Sequence, residues 1–348
     1  MEITASADRL QSRRRGGSIR RLRRLLLLLI GSLLALLLMS VLSLTCWPLP
    51  RLGWRVRIQA IASWVWCRFV VSTLGIRLHI EGVAGVAGVP GVPGVAAWLR
   101  RESRPALIVS NHLSYLDVVL IGSLSPAIFV AKQEVAGWPL LGWLVQLGGT
   151  LFLERGSTAS SVRCLYRVCR LLRSGQSVAV FPEGTTSEGR ELSTFHPFFL
   201  AAAIRSRREI LPLTVRVDSI EGQEIDDHQV RAFSWVGDDD FLPHFWNLLT
   251  LREVEVRVVI HAPLLVSRQD RAARLALQVA ALIEGPLDRD QWAGLPLSPV
   301  EPADEPREVA VEFLAGALLL ALLASPQGDA LGERWSGGEP APWQGGQE

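Results

Sequence analysis

A histidine and an aspartate interrupt the stretch "VSNHLSYLDVV", Val109 to Val119: His112 and, five positions on, Asp117. A carboxylate beside an imidazole fixes its tautomer and supports its protonated form, which suits the ring to act as a general base near neutral pH. A loop histidine satisfied by neighbouring backbone is the plain structural alternative. Asn111 and Ser114 crowd the same strand exit, and Asp117 is placed to begin or cap a helix there. A second cluster, "GTLFLERGS" at Gly149–Ser157, sets Arg155 beside Gly156 at a strand end, where a guanidinium can grip an anion with two bonds. A solvated Glu154–Arg155 pair is the competing reading. In the third, "VAVFPEGTTSEGR" at Val178–Arg190, a buried strand runs into Glu183, Gly184 and Thr185. Proline stiffens that exit, glycine lets a ligand approach the backbone, and the carboxylate and hydroxyls can bond a polyol, although a chemically idle turn is possible.

The elements that must position these groups are short apolar runs alternating with helical patterns. Strands are expected at 106–109, 128–131, 150–153, 178–181, 210–215 and 254–261, and helices at 117–124, 139–147, 160–173 and 271–283. Such alternation implies an α/β fold with a central, mostly parallel sheet flanked by helices. Active groups in these folds gather in loops at strand ends.

Ahead of this domain lies "LLLLLIGSLLALLLMSVLSLTCW", Leu25 to Trp47, long enough to cross a bilayer at the ~20 residues needed. It reads as the first half of an N-terminal hydrophobic helical membrane anchor, and Arg20, Arg21, Arg23 and Arg24 before it favour a cytoplasmic N-terminus. A second segment, Trp54 to Ile76, carries Arg55, Arg57 and Arg68. Those charges favour a shallow hairpin that dips in and returns over a second full crossing. The expected layout is a basic cytoplasmic arm over 1–24, an anchoring hairpin over 25–76, a catalytic domain over 77–285 with a flexible Gly-Val insertion at 82–96, and an acidic, partly disordered extension over 286–348 with a short apolar helix at 309–324.

Composition agrees with membrane work: 49% of the 348 residues are hydrophobic. The formal charge of +2 is small but unevenly spread, with eight Arg in 1–24 and nine Asp or Glu in 300–348. No nucleic-acid partner is expected. Cationic positions are filled almost wholly by arginine, so Lys132, the single lysine, hints at a site wanting a compact point charge. The four cysteines, Cys46, Cys67, Cys164 and Cys169, lack paired zinc spacing and read as reduced packing residues.

Taken together, Asn-His-x-x-x-x-Asp, Phe-Leu-Glu-Arg-Gly, Phe-Pro-Glu-Gly-Thr and Leu-Pro-Leu, in that order, resemble the four blocks of the glycerolipid acyltransferase family that includes the 1-acyl-glycerol-3-phosphate acyltransferases. "AKQEVAGWPLLGWLVQLGG" between the first two is also similar, with Lys132 at a matching place. The resemblance covers about residues 75–265. It implies a membrane-bound O-acyltransferase in which His112 is the general base and Asp117 orients its ring. The acceptor hydroxyl would attack the thioester of acyl-CoA or acyl carrier protein directly, with no acyl-enzyme, metal or organic cofactor. Arg155 with Gly156, and Lys132, would bind the acceptor's anionic head. Asn111, Glu183, Gly184 and Thr185 would complete its binding site, and Leu211-Pro212-Leu213 would serve packing or acyl-chain contact. The implied location is the cytoplasmic face of a bacterial inner membrane.

One departure bears on the acceptor: "STFHPFFLAAA" has His196 and Pro197 where the family pattern leads to a lysine after the phenylalanine. The leading acceptor is 1-acyl-glycerol-3-phosphate, giving phosphatidate. The longer "FPEGTTSEG" block also resembles relatives acting on lyso-ornithine lipid or other lysophospholipids. A reading of another class is a non-catalytic lipid-binding membrane protein that keeps the fold. A metal hydrolase using His112 and Asp117 has little support, because no further ligand cluster lies at suitable spacing.

Overall fold

The computed structural model of the chain describes residues 2–45, 52–82, 105–189, 192–225, 230–236 and 239–285. The expected Gly-Val insertion lies outside the described residues from Val83 onward, as do the C-terminal extension and its 309–324 helix.

Eight strands form one mixed sheet. They are β1 (Ile76–Gly82), β2 (Leu107–Ser110), β3 (Ala127–Lys132), β4 (Leu151–Leu153), β5 (Ser177–Val180), β6 (Ile210–Ile220), β7 (Gln223–Glu224) and β8 (Val254–Ile260). Their order is β1-β8-β6-β2-β5-β3-β4, with β7 on β6. From β6 to β4 neighbours are parallel, whereas β8 runs antiparallel to β6 and β1 pairs parallel with β8. The Leu107–Ser110 strand is buried throughout, as its unbroken apolar reading requires of a strand covered on both faces.

Helices α1 (Glu2–Thr45), α2 (Leu52–Leu74), α3 (Leu116–Leu124), α4 (Leu141–Leu147), α5 (Thr158–Arg173), α6 (Leu200–Ser206), α7 (Phe241–Leu248) and α8 (Ala272–Glu284) complete the architecture. Alternate strand side chains feed two cores. Ile108 and Ala179 join α2, α3 and the end of α7 on one side, and Leu107, Val109, Val178 and Val180 join α5, α6 and α8 on the other. Cys164 and Cys169 both pack into the second core, and burial pushes the Cys164 thiol up to about 11, where it is unreactive.

The basic segment expected as a separate arm is continuous with α1. That helix packs antiparallel on α2: Gly31 lies against the Phe69 ring, and Trp66 Nε1 donates to Ser32 Oγ at 3.1 Å. Its Gly17–Thr45 portion is the one described helix long and apolar enough to cross a membrane. The arginines at its start dock the helix on the α/β domain. Arg24, buried, donates to the carbonyls of Leu249, Leu251 and Arg252, Arg20 donates to Thr250 O at 2.8 Å, and Arg21 lies over the Trp246 ring.

Four elements are absent from the expected set: β1, the two-residue β7, α6 and α7. Pro243 disguised α7, yet a proline in the first helical turn removes an N–H that has no intrahelical acceptor. Strand β1 was hidden because its residues adjoin the second apolar segment. The chain turns at Gly75, whose φ of +72° glycine adopts without strain.

Candidate active site

Parallel β2 and β5 are neighbours, with Val109 beside Val180, so the loops leaving their C-terminal ends meet. The first carries His112 and the second Glu183. Asp117 sits in the first turn of α3 and points back into the loop. Its Oδ2 accepts from Leu113 N and Ser114 N, the latter at 2.8 Å, and stands 2.8 Å from His112 Nδ1. Asp117 is fully buried, while the His112 side chain keeps 18% exposure. The imidazole stacks on Phe181 at 4.0 Å between centroids. With Nδ1 bound to the carboxylate, the tautomer that donates there leaves Nε2 as the basic nitrogen. No Nε2 hydrogen bond is present among the described residues.

The main chain of His112 is held from the other loop. Its N–H donates to Glu183 Oε1 at 2.7 Å, and its carbonyl accepts from Ser187 N at 2.8 Å. Glu183 Oε2 accepts from Ser193 N at 3.1 Å. Burial pushes the Glu183 carboxyl above its usual range, against the opposing pull of these N–H donors. Gly189 packs so closely that a Cβ there would overlap Leu113 Cδ2, and its φ is +73°.

Two of the residues expected at the acceptor are engaged by backbone. Glu183 is buried with both oxygens accepting from main-chain N–H groups, so it braces the His112 loop. Asn111 is buried as well. Its amide makes a pair of 2.8 Å bonds to the N–H and carbonyl of Val215 on β6, tying the two strands where they diverge. Both side chains are spent on backbone groups that burial would otherwise leave unsatisfied.

The cations come from the other side of β5. Lys132 ends β3 opposite Leu153 of β4, and Arg155 follows two residues later. Arg155 is exposed and donates to the Gly184 carbonyl, which joins the second and third blocks. Partial burial lowers the Lys132 pKa, and the nearby Arg155 charge lowers it further. The two cations therefore repel, and a bound anion would relieve them. Gly156 and Gly184 have φ of +79° and +70°, and Thr185 is exposed on the same loop. A Cβ on Gly184 would meet His196 Cδ2 at 3.7 Å, so the exposed His196 stands over the loop whose carbonyl Arg155 binds. No group of three or more His, Cys, Asp or Glu side chains suited to a metal lies among the described residues.

Sequence reasoning missed Tyr115, Phe181 and His244. Tyr115 lies inside the first block, and its hydroxyl is 3.0 Å from His244 Nδ1 on α7. Around it gather Trp235 and Phe241, edge-on. An aromatic between two motif residues was the available signal. Its partner on α7 lies 129 positions away and left none.

The arrangement offers an imidazole base, a carboxylate that orients it and cations a few strands away, which suits proton removal from a hydroxyl on an anionic molecule. A family model described as Acyltransferase matches residues 97–216. The chain is 37% identical over 181 residues to a lyso-ornithine lipid O-acyltransferase of Pseudomonas aeruginosa, covering 51% of this chain and 67% of that one. It is 30% identical over 216 residues to a protein of the same description from Rhodobacter capsulatus, covering 60% and 70%. A 1-acyl-sn-glycerol-3-phosphate acyltransferase of Neisseria meningitidis is 31% identical over 153 residues, covering 44% and 57%. Among solved structures, the 1-acyl-sn-glycerophosphate acyltransferase PlsC of Thermotoga maritima superposes with a TM-score of 0.52 at 19% identity, over 80% of this chain and 99% of that one, which speaks to the fold. The chain belongs to the acyltransferase family and is an acyltransferase of the lysophospholipid type.

Proposed function

We propose that the protein transfers a fatty acyl group from a thioester, acyl-CoA or acyl carrier protein, to the free hydroxyl of a lysolipid at a membrane surface. The observation that carries this reading is the 2.8 Å contact of His112 Nδ1 with a buried carboxylate, made by a ring that is still accessible. His112 Nε2 takes the proton of the acceptor hydroxyl as its oxygen attacks the thioester carbonyl. A C–O bond forms, the C–S bond breaks, and the proton passes from the imidazolium to the departing thiolate. No nucleophilic Ser or Cys is needed. The chain's own residues supply base, orientation and anion binding.

For the acceptor, similarity to lyso-ornithine lipid acyltransferases favours lyso-ornithine lipid. The replacement of the expected lysine by His196 fits a head group less anionic than a phosphate. Lysophosphatidate is the second reading, favoured by the Arg155 and Lys132 pair and by relatives named for that reaction. The apolar α1 supports membrane attachment: an acceptor kept in the bilayer avoids exposing its acyl chain to water, at ~0.8 kcal/mol per CH₂. Placement on the cytoplasmic face follows from where both donors occur.

The test supplies purified membranes with a labelled acyl thioester and a panel of lysolipids, with products identified by mass. The expected result is one diacyl product, and a loss on the order of 10²-fold or more in kcat for His112→Ala. Wild-type rates in that variant would remove the mechanism. Lysolipid binding without turnover on any member would favour a binding protein instead.

A further inference from the structure

The α5 helix presents arginines at positions 163, 167 and 170, spaced so that they share one stripe. All are exposed. Beside the stripe, a shallow cleft of about 480 Å³ is lined by Tyr166, Cys169, Arg170, Arg173 and Arg205, with Arg173 Nη2 donating to the Arg205 carbonyl at 2.7 Å. No Asp or Glu occurs between Arg155 and Pro182, and none of these arginines pairs with a carboxylate among the described residues. Elsewhere the chain matches its arginines to acids: Arg77 with Glu253, Arg231 with Glu188, and Arg257 with Asp218 and Glu81. A preference for arginine over lysine therefore does not account for an uncompensated stripe, in which like charges four residues apart repel.

Position narrows the partner. The stripe lies on the α5–α6–α8 layer, across the sheet from the core that α1 and the later half of α2 join, while the start of α2 reaches this second core through Val56 and Ala60. A bilayer that takes up the exposed leucines of α1 meets the opposite layer, which leaves the stripe to the aqueous phase. Helix α5 starts at Thr158, three residues after Arg155, so Arg163 stands about 8 Å along the axis and Arg173 about 22 Å. That length suits a protein surface better than the nucleotide of a small donor.

We infer that the arginine face of α5 and α6 docks an acidic acyl carrier protein, whose thioester arm then reaches His112 past the end of α5. This rests on the acyl-transfer reading above and names its donor. Steering by such a face raises the association rate and makes binding salt-dependent.

The test is the triple variant Arg163→Glu, Arg167→Glu, Arg170→Glu, assayed on a lysolipid with either palmitoyl-charged acyl carrier protein or palmitoyl-CoA. The expected result is a KM for the carrier protein raised about tenfold or more at low salt, with palmitoyl-CoA kinetics unchanged, which also reports an intact fold. Salt should raise the wild-type carrier KM and close the gap with the variant. An unchanged carrier KM, or equal losses with both donors, overturns the proposal. So does loss of sedimentation with anionic phospholipid vesicles at unchanged carrier KM, which would assign the face to lipid head groups. Calorimetric binding of the charged carrier protein to His112→Ala protein, with and without the triple change, separates the two readings. If the wild type turns over neither donor, acyl transfer falls, while charge-dependent binding in this assay still supports docking and its absence rejects it.

Discussion

The His112 ring owes its position mainly to what its main chain is tied to. Glu183 and Ser187 hold the N–H and carbonyl of that residue from the neighbouring loop, and the ring is bonded at its edge by Asp117 and stacked on one face by Phe181. Glu183→Ala should strand two N–H donors, at about 1–3 kcal/mol for each buried group left unsatisfied. The expected outcome is a lower melting temperature and a kcat that falls toward the His112→Ala level although the imidazole remains, checked by calorimetry and steady-state kinetics on the same preparation. A glutamate that served only to bind the acceptor would raise KM and leave stability alone. The motif letters made His112 and Asp117 legible as a pair because they lie five residues apart, on a loop and the helical turn that follows it. The bracing roles of Asn111 and Glu183 were not, since a polar residue at a strand exit has the same sequence signal whether it faces solvent or backbone.

Among the elements, the junction of α1 with the loop after α7 is the least expected feature. Arg24 fills a cage of carbonyls at 249–252, and Gly75 closes it: a Cβ there would lie 2.5 Å from Arg24 Nη2 and 2.7 Å from the Arg252 carbonyl. Replacing the guanidinium in Arg24→Leu should cost about 2–4 kcal/mol, because several charge-assisted bonds are lost and the carbonyls stay buried. Gly75→Ala should also destabilise, with backbone strain of about 1–3 kcal/mol at φ of +72° added to the overlap. Denaturant unfolding in detergent measures both, and proteolysis near residues 249–252 should quicken in each. The same loop follows α7, which reaches the first motif through His244 and Tyr115, so anchor and active site share a connected set of contacts.

For the whole molecule, pH dependence provides a further check. His261 is buried, bonded through Nε2 to Thr214 Oγ1 at 2.8 Å, and burial lowers its pKa to about 4. His244 is shifted in the same direction by burial. A histidine whose folded pKa is depressed contributes stability that is complete above the unfolded value of about 6.5 and is lost as pH falls toward the folded one. Unfolding free energy should thus decline between about pH 6.5 and 4, by on the order of 3 kcal/mol for His261. His261→Asn should flatten that slope, and an unchanged profile would reject the assignment. At the same scale, the exposed leucines of α1 predict that the intact protein sediments with membranes and that removing residues 2–45 shifts it toward the soluble fraction.

The sequence by itself determined the family's motif blocks, the alternation of strands and helices and the apolar helix at the start, because each is written in local periodicity and in residues close together along the chain. Only the tertiary structure decided which polar groups face inward. Strand order places β5 between the histidine loop and the two cations, lays Val215 beside Asn111, and closes the loop of residues 249–252 around Arg24. These contacts join positions from about 70 to more than 200 residues apart, and no pattern within a single element encodes such a meeting.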